Sequence, residues 1–252
     1  MRRPAPASAV VGVLVLALCG ACSALPEIPP MPDGPLPTAP TPTASFDPAA
    51  AVRNDLSPDG FDVAERISVR VRNLGCFSLS TGSGFAVGET TLVTNRHVVE
   101  DSAELALSTY DGRDVGVRAA SIAELADLAV VRTDGELPAV PELATEDPER
   151  GDTITVVGYP QGGRLTVTSG RVIARTTDPL NLHLGEVLVT DALVEPGSSG
   201  SPALDRRGRV VGVVYAMNEA EQSFIVPVST LHELLEDDDA FKPVKEESFV
   251  CD

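Results

Sequence analysis

The stretch Glu195–Leu204, EPGSSGSPAL, places three serines and two glycines between two prolines. Clusters of glycine, serine and proline form turns in many proteins, so a plain turn is one interpretation of this stretch. A second interpretation is a shaped loop that holds Ser198, Ser199 or Ser201 as a nucleophile. The rest of the chain decides between them, because a nucleophilic serine needs an imidazole base and a carboxylate that orients the imidazole.

Three histidines are available as the base. His183 lies in a polar loop and His232 on a predicted helix, so we expect solvated or capping roles for both. His97 differs because it lies in LVTNRHVVED (92–101), just beyond an apolar strand, where a side chain can face a cleft. Taken alone, His97 is still open to a structural role.

The candidate acid is Asp127, in AELADLAVVR (123–132). It immediately precedes a continuous apolar strand, where a carboxylate can be partly buried and held rigidly. Taken alone, it is equally well explained as a turn residue at the entry of the strand.

The order of these residues along the chain separates the serine-hydrolase folds. The α/β-hydrolases run Ser, acid, His and need a G-x-S-x-G elbow between a strand and a helix. Here the stretch reads G-S-S-G-S and an apolar strand follows it, which disfavours a lipase or esterase. The order His97, Asp127, Ser199 is that of the chymotrypsin-like fold.

The pattern between Phe61 and Val228 is typical of an all-β protein. Short runs rich in Val, Ile, Leu and Thr alternate with Gly, Asp and Asn turns, as in RISVRVR (66–72) and DTITVVGY (152–159). Many such strands at this spacing predict a β-sandwich or barrel. Only STLHELLED (229–237) is predicted to be a helix, capped by its first two residues.

Five motifs occur in register along this region. They are GSGFAV (82–87), TNRHVV (94–99), DLAVV (127–131), GYPQGG (158–163) and TDALVEPGSSGSP followed by GRVVGVV (190–202 and 208–214). With these motifs the chain resembles the bacterial trypsin-like serine proteases, especially the protease domain of the HtrA (Deg) family and its membrane-tethered periplasmic relatives.

The resemblance implies two six-stranded antiparallel β-barrels packed face to face, with a short C-terminal helix. It implies a cleft between them that holds a catalytic triad, with His97 and Asp127 from the first barrel and Ser199 from the second. The backbone N–H groups of Gly197 and Ser199 would form the oxyanion hole. The implied activity is that of a serine endopeptidase acting on proteins or peptides through an acyl-enzyme, with no cofactor and no metal.

We name residues 195–201 the nucleophile loop. It departs from the usual family pattern, G-[ND]-S-G-G, at two positions. Ser198 replaces the aspartate that vertebrate trypsins use in their N-terminal ion-pair switch, so activation of that kind is not expected. Ser201 adds a β-carbon at the second glycine, which we expect to alter the loop slightly. This departure keeps open an alternative function, a catalytically silent protease-fold binding or sensor protein at the cell envelope.

Substrate preference follows from the family register. Leu193 is expected at the base of the S1 pocket, with Tyr215 and Met217 along the cleft. A leucine cannot select Lys or Arg as an aspartate would, so we expect a small or medium apolar P1 residue. No PDZ module is expected in the short stretch after Val228, which favours a monomer.

The N-terminal segment predicts export. Two arginines precede the apolar run SAVVGVLVLALCGA (8–21), which is short for a membrane-spanning helix of about 20 residues and suits a signal peptide over residues 1–21. LCGACS (18–23) resembles a bacterial lipobox in which Cys22 is lipidated, although Cys19 departs from it. Plain secretion and an uncleaved anchor remain alternatives. The expected location is the outer face of the cytoplasmic membrane or a periplasm-like space.

Composition bounds the remaining segments and the partners. Residues 22–60 are rich in proline and predict a disordered linker, so that the protease domain spans residues 61–252. The net charge of -18 argues against nucleic-acid binding, which needs clustered Lys and Arg. Cys76 and Cys251 predict a disulfide in an oxidising compartment, with two free thiols as the alternative.

Overall fold

The computed structural model describes residues 61–75, 78–123 and 126–244. Within them most of the ordered chain is β-strand, which confirms the predicted all-β class. The predicted signal peptide, linker, lipidation site and disulfide involve residues 1–60, Cys76 and Cys251, which lie outside the described residues. Among the described helices, none has the length and apolar character needed to cross a membrane.

The N-terminal half carries seven strands and two short helices in its described part. In chain order they are α1 (Val63–Arg66), β1 (Ser68–Leu74), β2 (Leu79–Gly88), β3 (Thr91–Thr94), α2 (Arg96–Val99), β4 (Glu104–Thr109), β5 (Asp114–Val115), β6 (Val117–Ala123) and β7 (Ala129–Thr133).

The C-terminal half carries seven strands, a 3₁₀ turn and one helix in its described part. Its described elements are β8 (Thr153–Gly158), a 3₁₀ turn (Pro160–Gly162), β9 (Thr166–Thr177), β10 (Glu186–Thr190), β11 (Pro202–Leu204), β12 (Val210–Met217), β13 (Ser223–Pro227), α3 (Val228–Glu236) and β14 (Phe241–Pro243).

The first sheet has the strand order β14-β6-β7-β3-β2-β1-β4-β5 and forms a half-barrel. Its strands alternate as expected: in β1, Val69 and Val71 are buried while Arg72 is exposed. The ring does not close into the six-stranded barrel that the family resemblance implies. The physical reason is that β14, from the far end of the described chain, pairs with β6 and occupies its free edge.

The second sheet is a closed six-stranded barrel, in the order β10-β13-β12-β11-β8-β9. Its long strand β9 pairs with β8 on one side and with β10 on the other, which closes the ring. Inward-facing aliphatic side chains fill the barrel, among them Ile154, Leu188, Val211 and Ile225.

The two sheets share one apolar core, which fixes the cleft between them. Phe85 and Leu128 of the first half pack in the same buried cluster as Val157 and Phe224 of the second half. Burial of such side chains contributes about 1.5 to 3 kcal/mol each. The side chains that the two halves present at this boundary are therefore held in a defined arrangement.

Helix α3 lies close to its predicted position but begins differently. Pro227 is its N-cap residue and provides no side-chain cap, so the predicted capping by Ser229 or Thr230 is wrong. The N–H and the hydroxyl of Ser229 instead donate to the carboxylate of Asp147, which lies far away in sequence. His232 is partly buried, with Nε2 2.9 Å from the Ala144 carbonyl oxygen.

Candidate active site

His97 lies on α2, the single helical turn that follows β3. Val98 and Val99 of this turn are buried, while 43% of the His97 side chain remains exposed. The apolar pair anchors the turn in the first sheet, and the imidazole therefore stands at the surface of the cleft.

Asp127 holds this imidazole. Its side chain is only 5% exposed, and its Oδ2 lies 2.6 Å from Nδ1 of His97. Its Oδ1 accepts a hydrogen bond of 3.1 Å from the backbone N–H of His97. Two contacts from one carboxylate fix the orientation of the ring and direct Nε2 away from Asp127. A carboxylate at Nδ1 also favours the tautomer whose Nε2 accepts a proton.

Backbone contacts tie the two segments together. The Asp127 carbonyl oxygen accepts a hydrogen bond of 2.7 Å from Nδ2 of Asn95 and one of 3.3 Å from the N–H of Arg96. Asn95 is fully buried, so its amide is shielded from competing water. The position of Asp127 relative to His97 is therefore set by four hydrogen bonds from three consecutive residues.

The nucleophile loop exposes two backbone donors. Ser198 N–H donates to Glu195, Gly200 N–H to Val214 and Ser201 N–H to Ser198, at 2.8 to 3.0 Å. The N–H groups of Gly197 and Ser199 donate to no acceptor among the residues that the structure describes. Two unbonded donors one residue apart are what an oxyanion hole requires.

Both glycines of the loop are required by its geometry. Gly197 has φ +96°, and a Cβ there would lie 2.6 Å from the amide nitrogen of Gln161. Gly200 has φ +86°, and a Cβ there would lie 2.5 Å from Oγ1 of Thr94 and closer still to the carbonyl oxygen of Ser83. Only glycine adopts these φ values without strain and leaves the loop this close to its neighbours.

Ser83, on β2, joins the loop to the first sheet. Its N–H donates to the Ser199 carbonyl oxygen at 2.7 Å, and its hydroxyl donates to the Gly197 carbonyl oxygen at 2.9 Å. The same hydroxyl accepts a hydrogen bond of 2.9 Å from the N–H of Tyr159. Sequence reasoning placed Ser83 in the GSGFAV motif without giving it a role. A serine between two glycines, directly before the apolar run FAV, was the available signal.

The GYPQGG turn supports the loop from the other side. Gln161, which has φ +55°, donates its N–H to the Pro196 carbonyl oxygen at 2.5 Å. Its side-chain Nε2 donates to Glu195 at 2.8 Å. This contact fixes the orientation of the Pro196–Gly197 peptide, whose N–H has no acceptor among the described residues.

The two unusual serines of the loop are both buried. The hydroxyl of Ser198 accepts a long hydrogen bond of 3.4 Å from the N–H of Glu195 inside the turn. The hydroxyl of Ser201 has no partner among the described residues. It fills the space that a side chain at Gly158 would occupy, so the added β-carbon is accommodated opposite a glycine.

Ser199 itself is partly exposed, and among the described residues no hydrogen bond joins its hydroxyl to His97. Catalytic hydrogen bonds are often long in substrate-free structures and tighten when substrate binds. The connection in this structure runs through Ser83, whose strand β2 pairs with β3, the strand that leads to His97.

The three predicted substrate-pocket residues do not share one cavity. Tyr215, 2% exposed, lines a cavity of about 600 Å³ together with His97, Asp127 and the loop residue His183. Leu193 is 48% exposed and lines a separate cavity of about 200 Å³ beside Ser198. Met217 is on the surface and lines neither of these two described cavities.

Comparison with known proteins agrees with this geometry. A family model described as a trypsin-like peptidase domain matches residues 82–213, more than half of the chain. The chain belongs to the trypsin-like peptidase family. The match begins at the GSGFAV motif and ends in β12, so it contains His97, Asp127 and Ser199.

Several relatives of this trypsin-like peptidase are named as proteases of the HtrA type. A probable periplasmic serine endoprotease, DegP-like, of Chlamydia trachomatis is 33% identical over 147 residues, covering 57% of this chain and 30% of that protein. The serine protease Do-like HtrA of Bacillus subtilis is 36% identical over 149 residues, covering 53% and 33%. This chain therefore spans about a third of the length of the curated relatives it matches.

Solved structures are similar over more of the chain. The Rv3671c protease of M. tuberculosis in its active form superposes with a TM-score of 0.67 and 27% identity, covering 86% of this chain and 99% of that one. The HtrA-type protease AlgW with a tripeptide gives a TM-score of 0.61 at 25% identity, covering 68% and 60%. The resemblance to HtrA-like, chymotrypsin-fold proteases is thus confirmed.

Proposed function

We propose that this trypsin-like peptidase is a serine endopeptidase whose triad is His97, Asp127 and Ser199. The observation that carries the proposal is the pairing of His97 Nδ1 with the buried carboxylate of Asp127 at 2.6 Å. It is supported by the nucleophile loop, where the unbonded N–H groups are those of Gly197 and Ser199 in the described part of the chain.

Each residue has a defined task in the proposed reaction. Ser199 Oγ attacks the carbonyl carbon of the scissile peptide bond while Nε2 of His97 accepts the hydroxyl proton. Asp127 keeps the imidazole in the required tautomer and stabilises the imidazolium that forms. The N–H groups of Gly197 and Ser199 donate to the oxyanion of the tetrahedral intermediate, and loss of one such donor costs about 2.7 to 4 kcal/mol.

The reaction then proceeds in two stages, formation of an acyl-enzyme and its hydrolysis. His97 returns its proton to the leaving amine, the carbon–nitrogen bond breaks, and an acyl-enzyme remains on Ser199. Water attacks this ester while His97 accepts its proton, the ester bond breaks, and His97 returns the proton to Ser199 Oγ as the acid product leaves. The same three side chains therefore serve both the formation and the hydrolysis of the acyl-enzyme.

The proposed preference is for a small or medium apolar P1 residue and against Lys or Arg. It rests on Leu193, which has no charge to select a basic side chain. Leu193 and Tyr215 line separate cavities, so their contributions to substrate preference can be measured with separate single variants.

We propose that the protein is exported and tethered to the outer face of the membrane by a lipid on Cys22. We also propose that it acts as a monomer and that Cys76 and Cys251 form a disulfide. Two observations support export: the apolar segment that follows Arg2 and Arg3, and relatives named as periplasmic. Mass spectrometry of the membrane-bound protein tests the lipid and the disulfide, and a Cys22→Ala variant should move to the soluble fraction.

Two observations favour a second candidate, a catalytically silent binding protein with a protease fold. The buried hydroxyl of Ser201 lacks a partner, and no hydrogen bond joins Ser199 to His97, in the described part of the chain. The alternative differs from the proposed activity in one measurable property, the nucleophilicity of Ser199.

A fluorophosphonate probe followed by peptide mapping distinguishes the two candidates. We expect an adduct on Ser199 in the full chain, and its loss in His97→Ala. His232→Gln is the matched control, because Nε2 of His232 bonds the Ala144 carbonyl and His232 does not line the described cavity that contains His97, so labelling should be unchanged. A folded protein that gives no adduct would establish the silent binding protein.

A further inference from the structure

A buried aspartate organises the loop between β9 and β10. We name this segment, Asp178–Gly185, the Asp178 loop. The Asp178 side chain is 5% exposed, and its carboxylate accepts hydrogen bonds from the N–H groups of Leu180 at 3.0 Å and Leu182 at 2.5 Å. Its own N–H donates to the Gly185 carbonyl oxygen at 2.8 Å, which closes the loop.

One further donor reaches this carboxylate from outside the loop. The hydroxyl of Tyr215, on β12, donates to Oδ1 of Asp178 at 2.9 Å, and both side chains are buried. The Tyr215 ring packs beside Phe224, with ring centroids 6.3 Å apart. A carboxylate out of contact with water depends on every donor that it has, because burial of an unpaired charge is costly.

Tyr215 remains a donor at all relevant pH values. Burial raises the pKa of its phenol far above the ordinary value, and the hydrogen bond to Asp178 and the negative charges of Asp178 and Asp127 raise it further. The phenol therefore keeps its proton, and that proton is committed to Asp178. Asp127 and Tyr215 line the same cavity.

The Asp178 loop forms a wall of the cavity that contains His97. Leu180, Leu182 and His183 of the loop line it, opposite Arg96 and Glu100 of the first half, which are ion-paired with each other at 3.1 Å. Leu184 of the same loop is buried in the core beside Tyr215. The loop thus presents two leucines to the cleft while its base is fixed by Asp178.

We propose that Tyr215 is a positioning residue that determines specificity: by holding Asp178 it keeps Leu180 and Leu182 in place as an apolar wall beside His97, which selects a substrate residue with an apolar side chain. This inference rests on the proposed peptidase function and deepens it. A phenylalanine at this position would pack equally well against Phe224, so the hydroxyl serves the loop rather than the core.

The test compares peptide substrates that carry leucine or glutamate at each position around the scissile bond. For the full chain we expect one position with a preference for leucine of about 10-fold or more, in the range that apolar pockets provide. Tyr215→Phe should reduce this preference by about 5-fold through KM, while the rate of fluorophosphonate labelling at Ser199 stays within about 2-fold.

Two further variants make the test specific. Tyr110→Phe is the matched control, because it also removes one tyrosine hydroxyl bond, that from Arg66, but far from the cleft. Leu180→Ser changes an exposed wall residue that folding does not require, and it should weaken the leucine preference as Tyr215→Phe does.

The outcomes separate this inference from the proposed function. An equal loss for both peptides with slower labelling would mark Tyr215 as a purely structural residue and overturn the inference, as would an unchanged preference. If the wild-type chain is not labelled, the peptidase proposal fails. Calorimetric binding of the same peptide pair then tests the wall, and a leucine preference that Tyr215→Phe weakens still supports it.

Discussion

The hydroxyl of Ser83 donates a 2.9 Å hydrogen bond to the carbonyl oxygen of Gly197, and so joins the first sheet to the loop that carries the proposed nucleophile. A peptide unit has its carbonyl and the following N–H on opposite sides. The contact to the Pro196 carbonyl therefore sets the direction of the Gly197 N–H, whereas the contact of Ser83 to the Gly197 carbonyl sets that of the Ser198 N–H, which donates to Glu195 inside the turn. Ser83 thus holds the turn that lies between the two proposed oxyanion donors, the N–H groups of Gly197 and Ser199.

Replacement of Ser83 by alanine should loosen the turn that lies between these proposed donors. The change removes the hydrogen bond to Gly197 and leaves the buried N–H of Tyr159 without its acceptor. We expect kcat/KM to fall by about 10- to 100-fold, less than the cost of losing one oxyanion donor outright. Stability should fall by about 1 to 3 kcal/mol, the cost of the unpaired N–H.

Ser108→Ala is the control for this variant. Ser108 is also a buried serine on a strand of the first sheet, but its hydroxyl donates to Asp114 at the outer edge. Peptide hydrolysis should show full activity for Ser108→Ala, and urea denaturation measures the stability of both variants. Equal activity of the two variants would contradict the role assigned to Ser83.

Replacement of Asp127 by asparagine tests whether Asp127 sets the tautomer of His97, the proposed base. An amide opposite Nδ1 of His97 donates a proton, and the imidazole then turns to the tautomer whose Nε2 carries hydrogen and cannot accept one from Ser199. We expect kcat to fall by about 10⁴-fold with little change in KM. The control is Asp134→Asn, which changes an exposed aspartate bonded to Arg118. An Asp127→Asn enzyme within 10-fold of wild type would argue against this triad.

Much of the fold and the pairing of His97 with Asp127 could be predicted, because the signals are local. Alternating apolar residues indicated strands such as β1, and His97 and Asp127 each adjoin an apolar strand in the printed sequence. The roles of Ser83 and of the Tyr215–Asp178 pair could not be predicted. Each depends on a contact between residues 37 to 114 positions apart, which only the tertiary packing specifies.

Two further details of the fold also depend on long-range contacts. Ser229 carries the residue type of a helix cap, but a distant carboxylate, Asp147, binds it instead. The pairing of β14 with β6 likewise joins segments that are far apart in the chain, with Phe241 opposite Ala123. Local propensity is a weak guide wherever a long-range partner competes for the same backbone group.

Gly200 and Gly112 offer a matched pair for measuring the strain in the nucleophile loop. Both have positive φ, +86° and +81°, but a Cβ at Gly112 would meet no atom within 4 Å. Gly112→Ala should therefore cost about 1 to 2 kcal/mol of stability from backbone strain alone. Gly200→Ala should cost about 4 kcal/mol or more, because its Cβ also overlaps Ser83 and Thr94. Equal costs in urea denaturation would show that the loop can move away from the first sheet.

Ser201 provides the last prediction, in which the sign of the effect matters more than its size. Its buried hydroxyl lacks a partner among the described residues, so Ser201→Ala should raise the free energy of unfolding by about 1 kcal/mol. Ser223→Ala is the matched control, because that equally buried hydroxyl donates to the Ala192 carbonyl oxygen, and its loss should lower stability by about 1 to 2 kcal/mol. Opposite signs in urea denaturation would show that the unusual serine of the nucleophile loop burdens the fold. A loss of stability in Ser201→Ala would instead reveal a partner for this hydroxyl.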